Sequence, residues 1–259
     1  MRKNFQSVAL IPARSGSQRI KDKNIAQLNG HPMMAYSIRA AIESKVFSSV
    51  ICITDSKHYS MIAQYYGAEV PKLRPKATAG DSSPDIEWVS WALKTLEGMN
   101  RSYDIFSILR PTSPFRKAAT IRRAYKKFLS SSSIDSLRAV EKCKQHPGKM
   151  WLLKNNLIDP LLPYEINGTP WHSNQYKALP EIYIQNASLE IAWTKIIKEE
   201  KNISGKKIVP FFCKELEGFD INEPEDLILA NNNIKTDSAI LPKINSTAYI
   251  QKKGSIHGR

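Results

Sequence analysis

The chain has 259 residues, 42% of them hydrophobic and 24% charged, and carries a net charge of +14. That composition excludes a disordered polyelectrolyte, and a chain this long buries roughly 75% of its unfolded surface, so it needs neither disulfides nor a structural metal to fold. Cys52, Cys143 and Cys213 are too widely spaced for a zinc pattern or a disulfide framework, and no apolar run approaches the roughly 20 residues of a membrane span. The basic start "MRKNFQ" leads into an apolar stretch too short for a signal peptide, so a cytoplasmic protein without a membrane partner is expected. The positive charge would attract polyanions of any kind. Yet the lysines are scattered, as in "YKKF" and "GKKI", and no basic helix face, zinc finger or sheet displaying aromatics is visible. They read as solvated faces, and no nucleic-acid partner is expected.

In chain order, "VALIP" (8–12) is a short apolar run closed by proline and reads as a buried strand. A polar, basic loop follows, then a helix over "HPMMAYSIRAAIESK" with Pro32 near its first turn, where a missing N–H costs little. "VICIT" (50–54) is the next strand and "KHYSMIAQYYGAEV" the next helix, with Gly67 as its stop. "SPDIEWVSWALKTLEG" places Ile86, Val89, Leu93 and Leu96 at helical spacing behind an acidic start. "YDIFSILRP" and "KAATIRRAYKKFL" repeat the pattern. Such alternation predicts an α/β fold, a mostly parallel sheet sandwiched by helices, with ligands bound beyond the carboxyl ends of the strands. The opening loop, "TDS" after Ile53 and "RPTSPFR" after Leu109 would then share one rim.

The alternation breaks over about 141–181, a stretch rich in Pro, Asn and aromatics that reads as an excursion from the sheet. "IYIQNASLEIAW" and "KKIVPFFC" return as strands, and "DINEPEDLILAN" opens a last helix, with Asn222 a good N-cap. Residues 1–232 are thus expected to form the domain with its excursion, and 233–259 a weakly patterned, partly disordered tail.

The loop "ARSGSQRIKDKN" concentrates Arg14, Arg19, Lys21 and Lys23 around Gly16, at the place where this kind of sheet puts its ligand chemistry. Backbone amides with Arg and Lys are what a triphosphate requires, many donors and neutralising charge. The loop lacks the "GK[ST]" of a Walker A motif and, with Gly16 alone, the dinucleotide fingerprint. An exposed charged turn is the competing reading of these residues.

"IPARSGSQRIKDKN" resembles the signature loop of the sugar-activating cytidylyltransferases, in particular their acylneuraminate (sialic acid) branch. The segments "GHPMMAYSIRAAIES", "VICITDS", "YGAEVPKLRP", "AGDSSPD", "LRPTSPFR", "HPGKMW", "LPEIYIQN" and "DINEPEDLILA" follow in family order, so the resemblance covers about 7–231. It implies a Rossmann-like nucleotidyltransferase fold. It also implies a CTP-dependent enzyme that joins CMP to a nonulosonic, sialic acid-like sugar acid and releases pyrophosphate. The substrate alternative is a 3-deoxy-octulosonate-type acid; a non-catalytic nucleotide-sugar binding homologue is the alternative to an enzyme. By the same resemblance Arg14, Ser17, Lys23 and Asn24 hold the nucleotide, joined by Arg74 and Asp81, with Lys23, Arg14 and Asp220 as catalytic residues. Arg110, Thr112, Ser113, Lys149, Gln185 and Asn186 match the sugar-binding positions. An arginine at 110, where most sialic acid enzymes carry glutamine, suits bidentate pairing with a carboxylate. Asp220 would hold Mg²⁺ or another divalent cation, with Asn222 a weaker ligand than the aspartate usual there. The excursion implies a homodimer. Departures from the family pattern are Gln18 for lysine, Tyr176 and Lys177 for Arg-Gln, and Ala187 for glycine.

Overall fold

The computed structural model describes residues 5–80, 82–236 and 238–250. Asp81, named above as a nucleotide-binding residue, lies outside them. The elements in chain order begin with β1 (Ser7–Pro12), β2 (Gln27–Leu28), β3 (His31–Pro32), α1 (Met33–Ser44), β4 (Ser49–Ile53) and α2 (Lys57–Tyr65). They continue with α3 (Asp85–Glu97), β5 (Ile105–Ile108), α4 (Ala118–Ser130), β6 (Ser136–Lys142), β7 (Trp151–Lys154), β8 (Leu157–Pro160), β9 (Glu165–Ile166) and β10 (Thr169–Pro170). The last are β11 (Tyr183–Trp193), α5 (Lys195–Glu199), β12 (Ile208–Phe212) and α6 (Pro224–Lys235).

A six-stranded sheet has the order β12–β6–β11–β5–β1–β4. β1 lies between β4 and β5 and runs parallel to both, whereas β11 is antiparallel to β5, with Glu190 opposite Ile108. The sheet is therefore mixed. Side chains alternate across the strands, as the two-residue period requires. Ala9, Ile11, Val50 and Cys52 face α1, α2 and α4, while Val8, Leu10, Ile51 and Ile53 face Trp88, Val89, Ala92 and Leu96 of α3. Both faces are covered, which is why these strands read as unbroken apolar runs.

Local signals explain the element ends. Pro32 is the N-cap of α1, and Gly67, at φ +96°, closes the turn after α2, where a Cβ would come within 3.0 Å of Ile42 Cδ1. Asn222 does not cap α6. Glu223 does, in a reciprocal capping box with Asp226, which leaves the Asn222 side chain free to face elsewhere. α6 runs past residue 232 to Lys235, and residues 238–250 lie against the body: Tyr65 Oη donates to the Thr247 carbonyl at 3.0 Å and the Tyr249 amide to Tyr66 Oη at 3.1 Å.

Among the described residues, those up to 139 and from 186 onward form one compact unit and residues 140–185 a second. In the second, β7 and β8 make an antiparallel hairpin and β9 and β10 another pair. Trp171 packs edge-on against His146 and Tyr164. Leu153 and Leu157, on β7 and β8, are 75% and 73% exposed.

Candidate active site

The carboxyl ends of β1, β4 and β5 do share one rim. The Ala13 amide donates to the Ile53 carbonyl at 2.9 Å, the Arg74 amide to the Thr54 carbonyl at 2.8 Å, and the Leu109 amide to the Leu10 carbonyl at 3.0 Å. Above it lies a cavity of about 290 Å³ lined by Arg14, Ser17, Lys23, Asn24, Arg74, Arg110, Thr112, Asp220 and Asn222, with Asp85 and Ser83 from the start of α3. An adjoining lobe is walled by Arg14, Ser17, Gln18, Arg19 and Lys23. Nine residues singled out from the sequence thus meet in the first unit.

The basic loop is held from several directions. Asp55, at the end of β4, accepts from the Ser15 amide through Oδ1 and from the Ser15 hydroxyl through Oδ2, both at 2.8 Å. Gly16 turns the chain at φ +76°. Asp22 adopts a left-handed conformation at φ 52°, and its carboxylate accepts from Tyr59 Oη at 2.8 Å. Asn24 is buried and donates from Nδ2 to the Arg14 carbonyl at 2.9 Å. Arg19 pairs with Glu223 at 2.7 Å.

Lys23 donates from Nζ to Asn222 Oδ1 at 3.2 Å, and Asn222 Nδ2 donates to Asp220 Oδ2 at 2.6 Å. Burial, then the repulsion of Arg19, holds the Lys23 ammonium below its ordinary pKa against the pull of Asp220 and Glu223. Asp220 Oδ1 is buried and has no hydrogen-bond partner among the described residues. A carboxylate oxygen so placed beside a cavity suits a hard cation. Among the described residues no group of three or more His, Cys, Asp or Glu converges, so a divalent cation here would take most of its ligands from water and phosphate oxygens.

Arg74 and Arg110 line the cavity with protein partners of their own, and the remaining expected residues among those described are not in its lining. Arg74 is nearly buried: its guanidinium donates to the Thr78 carbonyl and, at 3.3 Å, to Thr78 Oγ1, and lies 5.6 Å from the Trp88 ring. Arg110 is clamped by Asp85, at 2.5 Å, and Glu190, at 3.0 Å. Ser113 is buried and does not line the cavity. Asn186 donates from Nδ2 to Cys213 Sγ at 3.4 Å and accepts from the Ser188 amide at 3.1 Å. Gln185 and Lys149 belong to the second unit. There Lys149 Nζ donates to the carbonyls of His172 and Asn174 at 3.0 and 2.6 Å and sits 5.2 Å from the Tyr176 ring. An arginine in place of Tyr176 would set two cations together, whereas the tyrosine face attracts the ammonium.

Asp55, Tyr59, Asp85, Glu190 and Arg116 also shape the site, and no motif in the sequence singles them out. Arg116 is completely buried and donates to Ser37 Oγ at 2.7 Å and to the Arg110 carbonyl at 3.2 Å, which fixes the loop after β5. Burial lowers its pKa to about 9. A lone carboxylate within the apolar strand "ASLEIAW" was the signal available for Glu190, since a buried charge demands a partner.

The sequence model of the family described as "Cytidylyltransferase" matches residues 8–146. The chain is 32% identical over 240 residues to the CMP-N,N'-diacetyllegionaminic acid synthase of Legionella pneumophila, covering 90% of this chain and 98% of that protein. It is 29% identical over 229 residues to the N-acylneuraminate cytidylyltransferase of Escherichia coli O18:K1:H7, covering 86% of this chain and 51% of that protein, so it spans about half that relative's length. Among solved structures, CMP:2-keto-3-deoxy-manno-octonic acid synthetase complexed with CTP superposes with a TM-score of 0.64 at 11% identity, covering 90% of this chain and 99% of the other.

Proposed function

Because this chain belongs to the cytidylyltransferase family, we propose that it transfers CMP from CTP to a nonulosonic, sialic acid-like sugar acid. The anomeric hydroxyl oxygen of the acid would attack the α-phosphorus of CTP. A P–O bond forms there as the bond to the bridging oxygen breaks, pyrophosphate leaves with the electron pair, and the hydroxyl proton passes to solvent water. No covalent enzyme intermediate is required. The observation that carries this reading is the convergence of Arg14, Ser17, Lys23 and Asp220 on one cavity at the sheet's carboxyl rim.

Each residue supplies positioning or charge. The loop amides, Ser17 and the cations Arg14 and Lys23 hold the triphosphate in line and offset the charge gathering on the leaving group. Asn222 bridges Lys23 and Asp220 and so keeps cation and carboxylate a fixed distance apart. Asp220 would hold Mg²⁺ through its unpartnered oxygen, with Asn222 beside it. Bound there, the ion supplies further neutralisation of phosphate charge. Thr112 and Arg110 line the same wall, and we assign that side to the sugar acid.

Two copies are proposed to pair through the second unit, whose β7–β8 hairpin exposes Leu152, Leu153, Leu157 and Ile158. Among the described residues no helix is long and apolar enough to cross a membrane, and action in the cytoplasm, where CTP is made, is part of the proposal.

The test is pyrophosphate release from CTP and Mg²⁺ with a panel of nonulosonic acids and 3-deoxy-octulosonate. Turnover is expected on at least one nonulosonic acid, and Asp220→Ala should lose two or more orders of magnitude, roughly the effect of removing a transition-state charge partner. Faster turnover of 3-deoxy-octulosonate would favour that substrate class. CTP binding with no turnover on any acid would favour a non-catalytic homologue.

A further inference from the structure

A chain of charges runs from the sheet interior to the cavity wall. Glu190, in the middle of β11, is 3% exposed. Its carboxylate pairs with Arg138 of β6 and accepts from Arg110 Nη2 at 3.0 Å. The same guanidinium reaches Asp85, with Nη2 to Oδ2 at 2.5 Å and Nη1 to Oδ1 at 3.4 Å. Trp88 Nε1 donates to Asp85 Oδ1 at 2.7 Å. Two guanidiniums and two carboxylates therefore neutralise one another.

This arrangement removes Arg110 from the supply of cations open to a ligand. Withdrawing it towards a substrate carboxylate would leave Glu190 buried beside one guanidinium instead of two, and a buried charge short of partners is costly. Beside the paired Arg110, the chain presents to the cavity Asp85, which lines it from the first turn of α3, where the helix N-terminus favours negative charge. Burial alone would raise the Asp85 pKa, but Arg110 and the Trp88 hydrogen bond outweigh it and hold the carboxyl below its ordinary range. An ionised carboxylate only accepts hydrogen bonds. Arg14 and Lys23 line this cavity as well as the adjoining lobe, which Asp85 does not reach, so the anionic part of a ligand has cations other than Arg110 to meet.

We propose that Arg110 is a positioning residue and that Asp85, held by it, is a specificity-determining residue that selects a hydroxyl or amide N–H donor on the sugar acid. The proposal deepens the cytidylyltransferase reading and rests on it. Asp85, half-buried, accepts three hydrogen bonds from Trp88 and Arg110 of the roughly four a carboxylate can take, and a substrate without a donor for the remaining site leaves that bond unmade.

The experiment compares wild type, Asp85→Asn and Arg110→Lys, as full chains, with CTP and Mg²⁺. The probes are the nonulosonic acid that the wild type turns over fastest and its mono-deoxy analogues. One deoxy analogue should lose at least about tenfold in kcat/KM with the wild type and less than about twofold with Asp85→Asn. The KM for CTP should stay within about twofold in that variant. Arg110→Lys keeps the charge but cannot span both carboxylates, and should lose the same discrimination. Should Asp85→Asn fail to fold, Asp85→Ser is read in the same way. An Asp85 variant that discriminates among the analogues as the wild type does overturns the proposal. So does a raised KM for CTP with unchanged sugar kinetics, which would give Asp85 to the nucleoside. A wild type that turns over no acid overturns the parent function and this proposal together, whereas the other two outcomes leave the function standing.

Discussion

Lys23 shows how one side chain can be charged and yet tuned. Burial and the neighbouring Arg19 both disfavour its ammonium, so its pKa lies below the ordinary 10.5. The charge is complete below that lowered pKa and is lost as the pH rises through it. The expected outcome is that kcat/KM for CTP falls on the alkaline side before the pH reaches the ordinary lysine value. Lys23→Arg, whose guanidinium stays protonated, should move that fall to higher pH, which a pH–rate profile of both proteins would show. Lys23→Ala should cost about 10²–10³ in kcat at neutral pH, the usual effect of removing one donor from a charge-stabilising site. Wild-type rates from Lys23→Ala would remove Lys23 from the chemistry. Asn222 is a second lesson at this scale. The residue type predicts a helix cap, but Glu223 and Asp226 satisfy the α6 start between themselves, and Asn222 is left to connect Lys23 with Asp220.

Among the elements, the loop after β1 depends on β4 and α2 for its shape. Asp55 takes both the amide and the hydroxyl of Ser15, and Tyr59 takes Asp22 at the loop's far end. A glycine at φ +76° between them makes the turn without steric cost. A loop pinned at both ends keeps its donors aimed when no nucleotide is there, so less ordering cost falls on binding. Asp55→Ala removes two charge-assisted hydrogen bonds at one end. It should raise KM for CTP about tenfold, by the cost of an unmade hydrogen bond to a charged group, while the melting temperature changes little because the site lies at the rim. Steady-state kinetics beside a thermal melt would check this, and an unchanged KM would show that the loop holds its shape without Asp55.

At the scale of the whole molecule, the hairpin of β7 and β8 carries Leu153 and Leu157 at 75% and 73% exposure, and apolar surface of that kind marks an interaction face. Replacing both by aspartate should convert a dimer into a monomer by analytical ultracentrifugation, and a wild type that is monomeric at micromolar concentration would end the homodimer proposal. The sequence by itself determined the alternation of apolar strands and helices, the position of the basic loop after β1, and the family motifs in their order. Each of these is written in neighbouring residues, through a period of two or of 3.6 or through a short motif. It determined less about what the charged groups do. Arg110 read as a cation for a substrate carboxylate, yet its partners are Asp85, 25 positions away, and Glu190, 80 away. β11 read as a strand returning to a mostly parallel sheet, with no direction legible, and it runs antiparallel to β5. Only the tertiary structure decided these points, because which strand lies beside which, and which carboxylate meets which guanidinium, is set by contacts between distant segments. No local pattern of residues records them.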